Sequence, residues 1–236
     1  MTTFVLVHGA WGGSWGWTRL ARILRAAGHD VFTPSLTGLG ERSHLLTPGV
    51  DLSTHVTDVL NVFRYERLSE VVLVGHSYGG MVVTAVADAA AEHVKALVYL
   101  DAFVPKNGDS LLGLLPPEAR AAMLASAERE GEGWKVPPLP PERMGMTDPE
   151  EIAWVTPLRG AQPLLSFTQS VALGGRHLGV AKRLYVFATG YRPSHFARFA
   201  DAARADPAWT YCELPTHHSP QISMPRETAE LLLRHT

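Results

Sequence analysis

The clearest pattern in the chain is an apolar run that breaks into a glycine-rich turn and then resumes. Residues 71–74 are Val-Val-Leu-Val, which is typical of a strand buried on both faces. Gly-His-Ser-Tyr-Gly follows at 75–79, and the apolar residues from Met81 onward predict a buried helix. The pattern therefore predicts a strand, a tight turn at Ser77 and a helix.

Other apolar runs predict further strands, at residues 4–7, 30–34, 94–99, 184–189 and 209–214. Helical spacing of apolar positions predicts helices at residues 15–27, 51–63, 81–87 and 193–205 and from Pro225 onward. The intervening loop at 35–50 is expected to be ordered by local hydrogen bonds rather than by a core. Because strands alternate with helices, we predict an α/β fold with a mainly parallel sheet and helices on both faces.

Residues 106–179 interrupt this alternation with frequent helix breakers. Seven prolines precede Trp154 in this segment, and helical patches occur only at 117–130 and 148–155. We interpret the segment as a cap inserted into a single domain that spans residues 1–236, since no linker separates it. Such a cap would line a substrate pocket, although its large apolar side chains could instead pack only against each other. The predicted pocket residues are Trp11, Phe103, Trp134 and Trp154.

Composition narrows the possible partners and cofactors. The 236 residues are 46% hydrophobic and 19% charged, with a net charge of −2, which gives no electrostatic reason to expect nucleic acid or an anionic membrane. Cys212 is the single cysteine, and the chain has no zinc-site spacing and no nucleotide-binding glycine motif. The N-terminal strand lacks the basic flank of a secretory signal. We therefore expect a cytoplasmic protein without cofactor or metal, acting on a small molecule, and leave open a homodimer.

The turn around Ser77 points to nucleophilic catalysis. Gly75 and Gly79 would let the strand turn directly into the helix, so that the Ser77 hydroxyl stands exposed beside the helix N-terminus. A serine needs a base, and the loop after the final strand supplies His217 and His218 at the same edge of the sheet. Ser219-Pro220 would bend the chain directly after His218, which favours His218 over its neighbour.

Acyl transfer also requires donors for a developing oxyanion. The backbone N–H of Tyr78, directly after the predicted nucleophile, is one candidate. The second should come from the glycine-rich loop that leaves the first strand, as the N–H of Ala10 or Trp11.

These motifs resemble those of the α/β-hydrolase superfamily. The matching stretches are Val-His-Gly-Ala-Trp-Gly-Gly at 7–13, Gly-His-Ser-Tyr-Gly-Gly-Met at 75–81, and a histidine before the final helix. Within the superfamily the chain is similar to small methylesterases, hydroxynitrile lyases and related bacterial carboxylesterases. The resemblance implies an α/β-hydrolase fold with six to eight strands, a serine–histidine–acid triad and ester substrates. It also implies Ser77 as nucleophile, His218 as base, and Ala10 and Tyr78 as oxyanion positions.

The chain departs from the family at the acid. The family's acid usually follows the penultimate strand, but residues 188–195 contain no carboxylate. Asp101 lies at the carboxyl end of the strand after the Ser77 helix, where some superfamily members place their acid, and it is our preferred candidate. Asp201 and Asp206 are less favoured because they fall on or after a helix, and Glu213 because it lies within a strand.

The sequence thus predicts a cofactor-free serine carboxylesterase that hydrolyses a small, fairly hydrophobic ester through an acyl-enzyme. One alternative is a hydroxynitrile lyase on the same scaffold. The similar lyases carry a hydroxyl residue where Ala10 stands and a lysine where Ser219 stands, which disfavours that reading. A second alternative, suggested by the missing acid at the usual place, is a ligand-binding protein with little turnover.

Overall fold

The central feature of the molecule is a six-stranded sheet in which every neighbouring pair is parallel. The computed structural model describes all residues, 1–236. The strands are β1 (Thr3–Val7), β2 (Asp30–Phe32), β3 (Val71–His76), β4 (Val94–Leu100), β7 (Lys182–Ala188) and β8 (Thr210–Leu214), with a separate antiparallel pair of β5 (Lys135–Val136) and β6 (Gln162–Pro163). Their order across the sheet is β2-β1-β3-β4-β7-β8. The predicted α/β fold is confirmed.

The chain also contains ten α-helices, of which the last two follow the final strand. They are α1 (Thr18–Ala26), α2 (Leu52–Tyr65), α3 (Gly79–Ala89), α4 (Leu111–Leu114), α5 (Pro117–Glu130), α6 (Pro149–Val155), α7 (Leu165–Thr168), α8 (Ala197–Ala205), α9 (Pro220–Ser223) and α10 (Pro225–His235). Short 3-10 helices cover Ser14–Trp17, Gly40–Leu45, Ala91–His93, Pro141–Met144, Thr156–Leu158 and Arg176–Gly179. None of the helices is both long and apolar enough to span a bilayer.

Two apolar layers pack on opposite faces of the sheet. Alternate side chains point to opposite faces of a strand, so Leu73 joins the layer under α2, α3 and α8 while Val72 and Val74 join the layer under α1 and α10. Strand β3 is buried along its whole length, as its continuous apolar run predicts. This central strand therefore holds the turn that follows it in a rigid position.

The loop between β2 and α2 differs from expectation. The side chains of Leu36 and Leu39 are fully buried in the layer that contains α2, so the expectation that only local hydrogen bonds order this loop is wrong. Two apolar residues in a glycine- and proline-containing stretch give no periodic signal, yet they anchor the loop in the core. Asp51 then starts α2 through a capping box with Thr54.

Residues 106–179 lie between β4 and β7 and contain α4 to α7 together with the β5–β6 pair. Their description as a cap inserted into one domain stays a prediction. Two observations bear on it: side chains of this segment, including Met146 and Arg159, line the cavity at Ser77, and β5 and β6 both hydrogen-bond to Trp11 of the loop after β1.

Candidate active site

Ser77 lies at the junction of β3 and α3 in the left-handed region of backbone space. Its φ is +54°, which is strained for a residue with a side chain and persists only where the surroundings enforce it. A Cβ on Gly75 would lie 2.6 Å from Val83 Cγ2, and one on Gly79 would lie 2.5 Å from the carbonyl oxygen of Val7. The two glycines are therefore required by close packing, and the Ser77 side chain lines a cavity of about 70 Å³.

His218, in the loop after β8, is bonded on one ring nitrogen only. Its Nδ1 lies 2.6 Å from Oδ2 of Asp101, which fixes the proton on Nδ1 when the carboxylate is ionised. The side chain is 1% exposed, and its Nε2 has no hydrogen-bond partner within the protein. Because His218 lines the same cavity as Ser77, this nitrogen is available to a group bound there.

Asp101 follows β4 directly and is fully buried, with a φ of +43°. Its Oδ1 accepts a hydrogen bond of 3.2 Å from the backbone N–H of Ala188, at the end of the neighbouring strand β7. The other three carboxylates considered from the sequence lie elsewhere. Asp201 and Asp206 are exposed, and Glu213 pairs with Arg204 at the surface. Among the four, the structure brings only Asp101 to His218.

Burial controls the charge state of this pair. Burial lowers the pKa of His218, and the nearby Arg159 guanidinium lowers it further, so the imidazole is neutral near pH 7. Burial raises the pKa of Asp101, while the hydrogen bond from Ala188 acts in the opposite direction. A neutral imidazole with an unbonded Nε2 can accept a proton from a hydroxyl.

His217 is also held by a carboxylate, but on a different side of the loop. Its Nδ1 accepts the N–H of Ser219 at 3.1 Å, so its Nε2 carries the proton and donates to Glu151 of α6 at 3.1 Å. Glu151 also pairs with Arg19 at 2.6 Å. Both nitrogens of His217 are thus occupied, which distinguishes it from His218.

A third histidine in this region, His76, was not predicted as a site residue. It is the last residue of β3, and its Nε2 donates to the carbonyl oxygen of His218 at 2.7 Å. The two rings lie 4.6 Å apart. Burial lowers the pKa of His76, so it stays neutral and holds the His218 loop to the strand that carries Ser77. Its position at the end of a fully apolar run was the only sequence signal.

Two further buried histidines hold the loops around the site. Nε2 of His8 accepts the N–H of Leu36 at 3.0 Å. His55 contacts the carbonyl oxygen of Thr37 through Nε2 at 3.0 Å and the hydroxyl of Tyr78 through Nδ1 at 2.7 Å. Burial lowers the pKa of both His8 and His55 to about 4. They act as neutral hydrogen-bonding groups and tie the loop after β2 to the loop after β1 and to the turn at Ser77.

The two candidates for the second oxyanion donor differ in their bonding. The N–H of Trp11 donates to Oε1 of Gln162 at 3.0 Å. The N–H groups of Ala10 and Tyr78 donate to no acceptor in the protein. Ala10 lines the cavity together with Ser77, so the structure leaves Ala10 rather than Trp11 with a free donor there.

The four aromatic residues predicted for the pocket are not all found there. Trp11 lines the cavity at Ser77. Phe103 does not: its backbone N–H donates to the carbonyl oxygen of Ser77 at 3.2 Å, while its ring packs against Phe196, 4.9 Å away between centroids. The side chain of Phe103 therefore belongs to the core beneath α8.

Trp134 and Trp154 also lie outside the cavity. Trp134 is half-buried beside Lys135, whose ammonium lies 5.0 Å from the ring centroid. Trp154 packs edge-on against Trp15 at 6.0 Å and under the guanidinium of Arg19 at 4.7 Å. Trp15 itself lines the cavity, so Trp154 lies behind Trp15 and is not a lining residue. Spacing along the chain could not show which of the two rings faces inward.

A parallel sheet with helices on both faces, and a serine on a strained turn between its central strand and a helix, define the class of α/β hydrolases. The sequence agrees: residues 4–231 match the alpha/beta hydrolase family, and the chain belongs to that family. The resemblance seen in the motifs is thereby confirmed.

Three individual proteins show what the chain is similar to. It is 42% identical over 239 residues to a carbendazim hydrolyzing esterase of Nocardioides sp. (strain SG-4G), covering 98% of each protein. It is 33% identical over 103 residues to an alpha-hydroxynitrile lyase of Arabidopsis thaliana, covering 43% of this chain and 40% of that protein. An extracellular alpha/beta-hydrolase from a Paenibacillus species has the same fold, with a TM-score of 0.84, 21% identity and coverage of 100% and 99% of the two chains.

Proposed function

We propose that this protein is a cofactor-free serine carboxylesterase that hydrolyses a small, fairly hydrophobic ester through an acyl-enzyme intermediate. The observation that supports this most directly is the bonding of His218. Its Nδ1 is held by a buried carboxylate and its Nε2 is unbonded, and His218 lines the same cavity as Ser77. That is the arrangement a general base needs beside a serine nucleophile.

In the first half-reaction, Ser77 Oγ attacks the ester carbonyl carbon and its proton passes to Nε2 of His218. The carbonyl electron pair moves onto the oxygen, where the N–H groups of Ala10 and Tyr78 donate to the resulting anion. Asp101 stabilises the imidazolium that forms. When the tetrahedral intermediate collapses, the alcohol leaves with the proton from Nε2, and Ser77 remains acylated.

In the second half-reaction a water molecule takes the place of the alcohol. His218 Nε2 removes a proton from the water as its oxygen attacks the acyl carbon. Collapse of this intermediate breaks the bond to Ser77 Oγ, which recovers the proton from Nε2, and the carboxylic acid departs. The enzyme returns to its starting state without any cofactor.

The cavity supports a small substrate group. Its volume of about 70 Å³ is several times the roughly 10–15 Å³ that one water molecule needs, which leaves room for a small group of the substrate beside Ser77. Trp11, Met146 and Ile222 contribute apolar surface. The Nocardioides relative hydrolyses carbendazim, and we include carbendazim with short p-nitrophenyl and aromatic methyl esters in the substrate panel.

The test compares three single variants on the best ester of that panel. We expect Ser77→Ala and His218→Ala each to abolish hydrolysis, with an unchanged melting temperature for Ser77→Ala. His217→Ala is the matched control: it removes an adjacent histidine whose nitrogens contact only Glu151 and Ser219, so we expect a much smaller loss.

A second measurement separates an esterase from a ligand-binding protein. A fluorophosphonate should label the parent protein rapidly at Ser77, because labelling requires an activated serine. A tenth of the parent activity in Ser77→Ala would overturn the nucleophile assignment. A larger loss in His217→Ala than in His218→Ala would overturn the assignment of the base, and no labelling would favour a binding protein.

A further inference from the structure

Trp11 forms three hydrogen bonds with the 106–179 segment. Its indole Nε1 donates to the carbonyl oxygen of Val136 in β5 at 2.9 Å, and its backbone N–H donates to Gln162 in β6 at 3.0 Å. Its carbonyl oxygen accepts the N–H of Gly160 at 3.2 Å. The residue is 4% exposed and has a φ of +62°, so the glycine-rich loop after β1 is fixed in a strained conformation from outside the sheet.

The orientation of the Gln162 side chain follows from its other partner. Ser166 Oγ donates its only proton to the carbonyl oxygen of Pro163 at 2.7 Å. It can therefore only accept from Gln162, whose Nε2 lies 2.8 Å away. The amide nitrogen faces Ser166, and the amide oxygen must face the N–H of Trp11. Gln162 is fully buried and Ser166 is 1% exposed, so water does not compete for these bonds.

The hydrogen bonds of Gln162 fix Trp11, which directly follows Ala10, the residue with the unbonded N–H. Ala10 and Trp11 present consecutive N–H groups, of which Gln162 occupies the second and leaves the first unbonded. Gln162 itself does not line the cavity at Ser77. Its effect on the chemistry must therefore pass through the position of the loop.

We propose that Gln162 is a positioning residue for the oxyanion site: by accepting the Trp11 N–H, it holds the loop so that the Ala10 N–H remains directed to the reacting oxygen. The proposal rests on the esterase function proposed above. A donor of this kind is effective only when its geometry is fixed before the reaction, and loss of one oxyanion donor typically costs 10²–10³ in kcat. A displaced donor loses part of this contribution to kcat, so we expect kcat to fall by about 10-fold or more when Gln162 is replaced.

The experiment compares Gln162→Met with Ser166→Ala. Both substitutions break the hydrogen bond between Gln162 and Ser166, but only Gln162→Met removes the acceptor of the Trp11 N–H. We expect Gln162→Met to lower kcat about 10-fold or more with little change in KM, and Ser166→Ala to keep kcat within about 3-fold of the parent. Gln162→Asn keeps a polar amide, but its side chain is one methylene too short to accept the Trp11 N–H. It replaces Gln162→Met if the methionine variant folds poorly, and we expect it to lower kcat in the same way.

The affinity for an alkylboronic acid provides the second readout, because its tetrahedral adduct on serine places an anionic oxygen at the oxyanion site. Its Ki should rise in Gln162→Met in proportion to the loss of kcat/KM and stay unchanged in Ser166→Ala. A purely structural network would lower both melting temperatures without separating the two variants in kcat or Ki. That result would overturn the proposal.

Failure of the esterase function itself would look different. A parent protein that neither hydrolyses the ester panel nor binds the boronic acid would remove the basis of both proposals. A parent protein that does both, together with a Gln162→Met variant of parental kcat and Ki, would overturn only the role of Gln162.

Discussion

Asp101, the carboxylate that contacts His218, lies at the end of β4, whereas the resemblance implies an acid after the neighbouring strand β7. Its carboxylate extends from the end of β4 to the end of β7, where it accepts the N–H of Ala188. Residue 188 begins the stretch that usually carries the family's acid, and here that stretch supplies a backbone donor instead. The buried carboxylate that contacts Nδ1 of His218 therefore comes from the end of β4.

We expect Asp101→Asn to lower kcat at least ~100-fold, because an amide in this place favours the wrong tautomer of His218 and cannot stabilise the imidazolium. The ester hydrolysis rate under saturating substrate measures this. Asp201→Asn and Asp206→Asn change exposed carboxylates and should stay within a few-fold of the parent. Near-parental activity in Asp101→Asn, combined with an inactive Asp206→Asn, would move the acid to Asp206.

At this scale the sequence was informative where a residue's neighbours along the chain determine its environment. The tight turn at Ser77 could be predicted because the flanking glycines and the adjoining strand and helix are local. The separation of His218 from His217 depends on Asp101 and Glu151, which lie 117 and 66 residues away along the chain. Gln162 gave no signal at all, since its two-residue strand is defined only by pairing with β5.

Among the elements, the unit of β3, the Ser77 turn and α3 has the least freedom to vary. A Cβ on Gly75 would meet Val83 Cγ2 at 2.6 Å and the carbonyl oxygen of Gly79 at 2.7 Å, and backbone cannot move aside cheaply. Helix α3 is buried along most of its length, so it cannot shift outward to make room.

We therefore expect Gly75→Ala to lower the free energy of unfolding by about 1–3 kcal/mol, the usual cost of overpacking a core. Urea unfolding measures this. Gly16→Ala is the matched control, since a Cβ there would meet no atom within 4 Å. Equal stability of the two variants would show that α3 can move away from β3.

Periodic elements were predicted from the sequence more accurately than the segments between them. The helix at 117–130 was predicted at the bounds that α5 shows, because Pro117 suits a helix start and Gly131 follows its end. The helix predicted from residue 15 begins with a 3-10 turn at Ser14–Trp17, where the N–H of Ser14 donates to Ser35 Oγ of another loop. Contacts between distant loops decide such boundaries, and no local pattern contains them.

For the molecule as a whole, the buried histidines make stability depend on pH. The folded-state pKa values of His8 and His55 are about 4, below the roughly 6.5 of an unfolded chain. Between these values the unfolded state binds more protons, so the contribution to stability is fully present above pH 6.5 and is lost as pH falls toward 4. Each histidine contributes a slope of at most roughly 1.4 kcal/mol per pH unit in this window.

We expect the free energy of unfolding, measured in urea between pH 7 and pH 4.5, to decline less steeply in His55→Gln than in the parent. The glutamine can still form hydrogen bonds but binds no proton. His44→Gln, at an exposed position, serves as the surface control and should follow the parent. Parallel curves for the parent and His55→Gln would show that His55 does not contribute to the pH dependence.

The position of β8 at the edge of the sheet affects the order in which the site is assembled. Ser77 and Asp101 follow the two central strands β3 and β4, but His218 follows a strand that has a single neighbour and only one fully buried side chain. During synthesis Ser77 and Asp101 leave the ribosome well before His218. Under the mechanism proposed above, the nascent chain has no base for Ser77 until its edge strand docks. Local unfolding of β8 would displace His218 and stop the proposed reaction while most of the protein's interior is still folded.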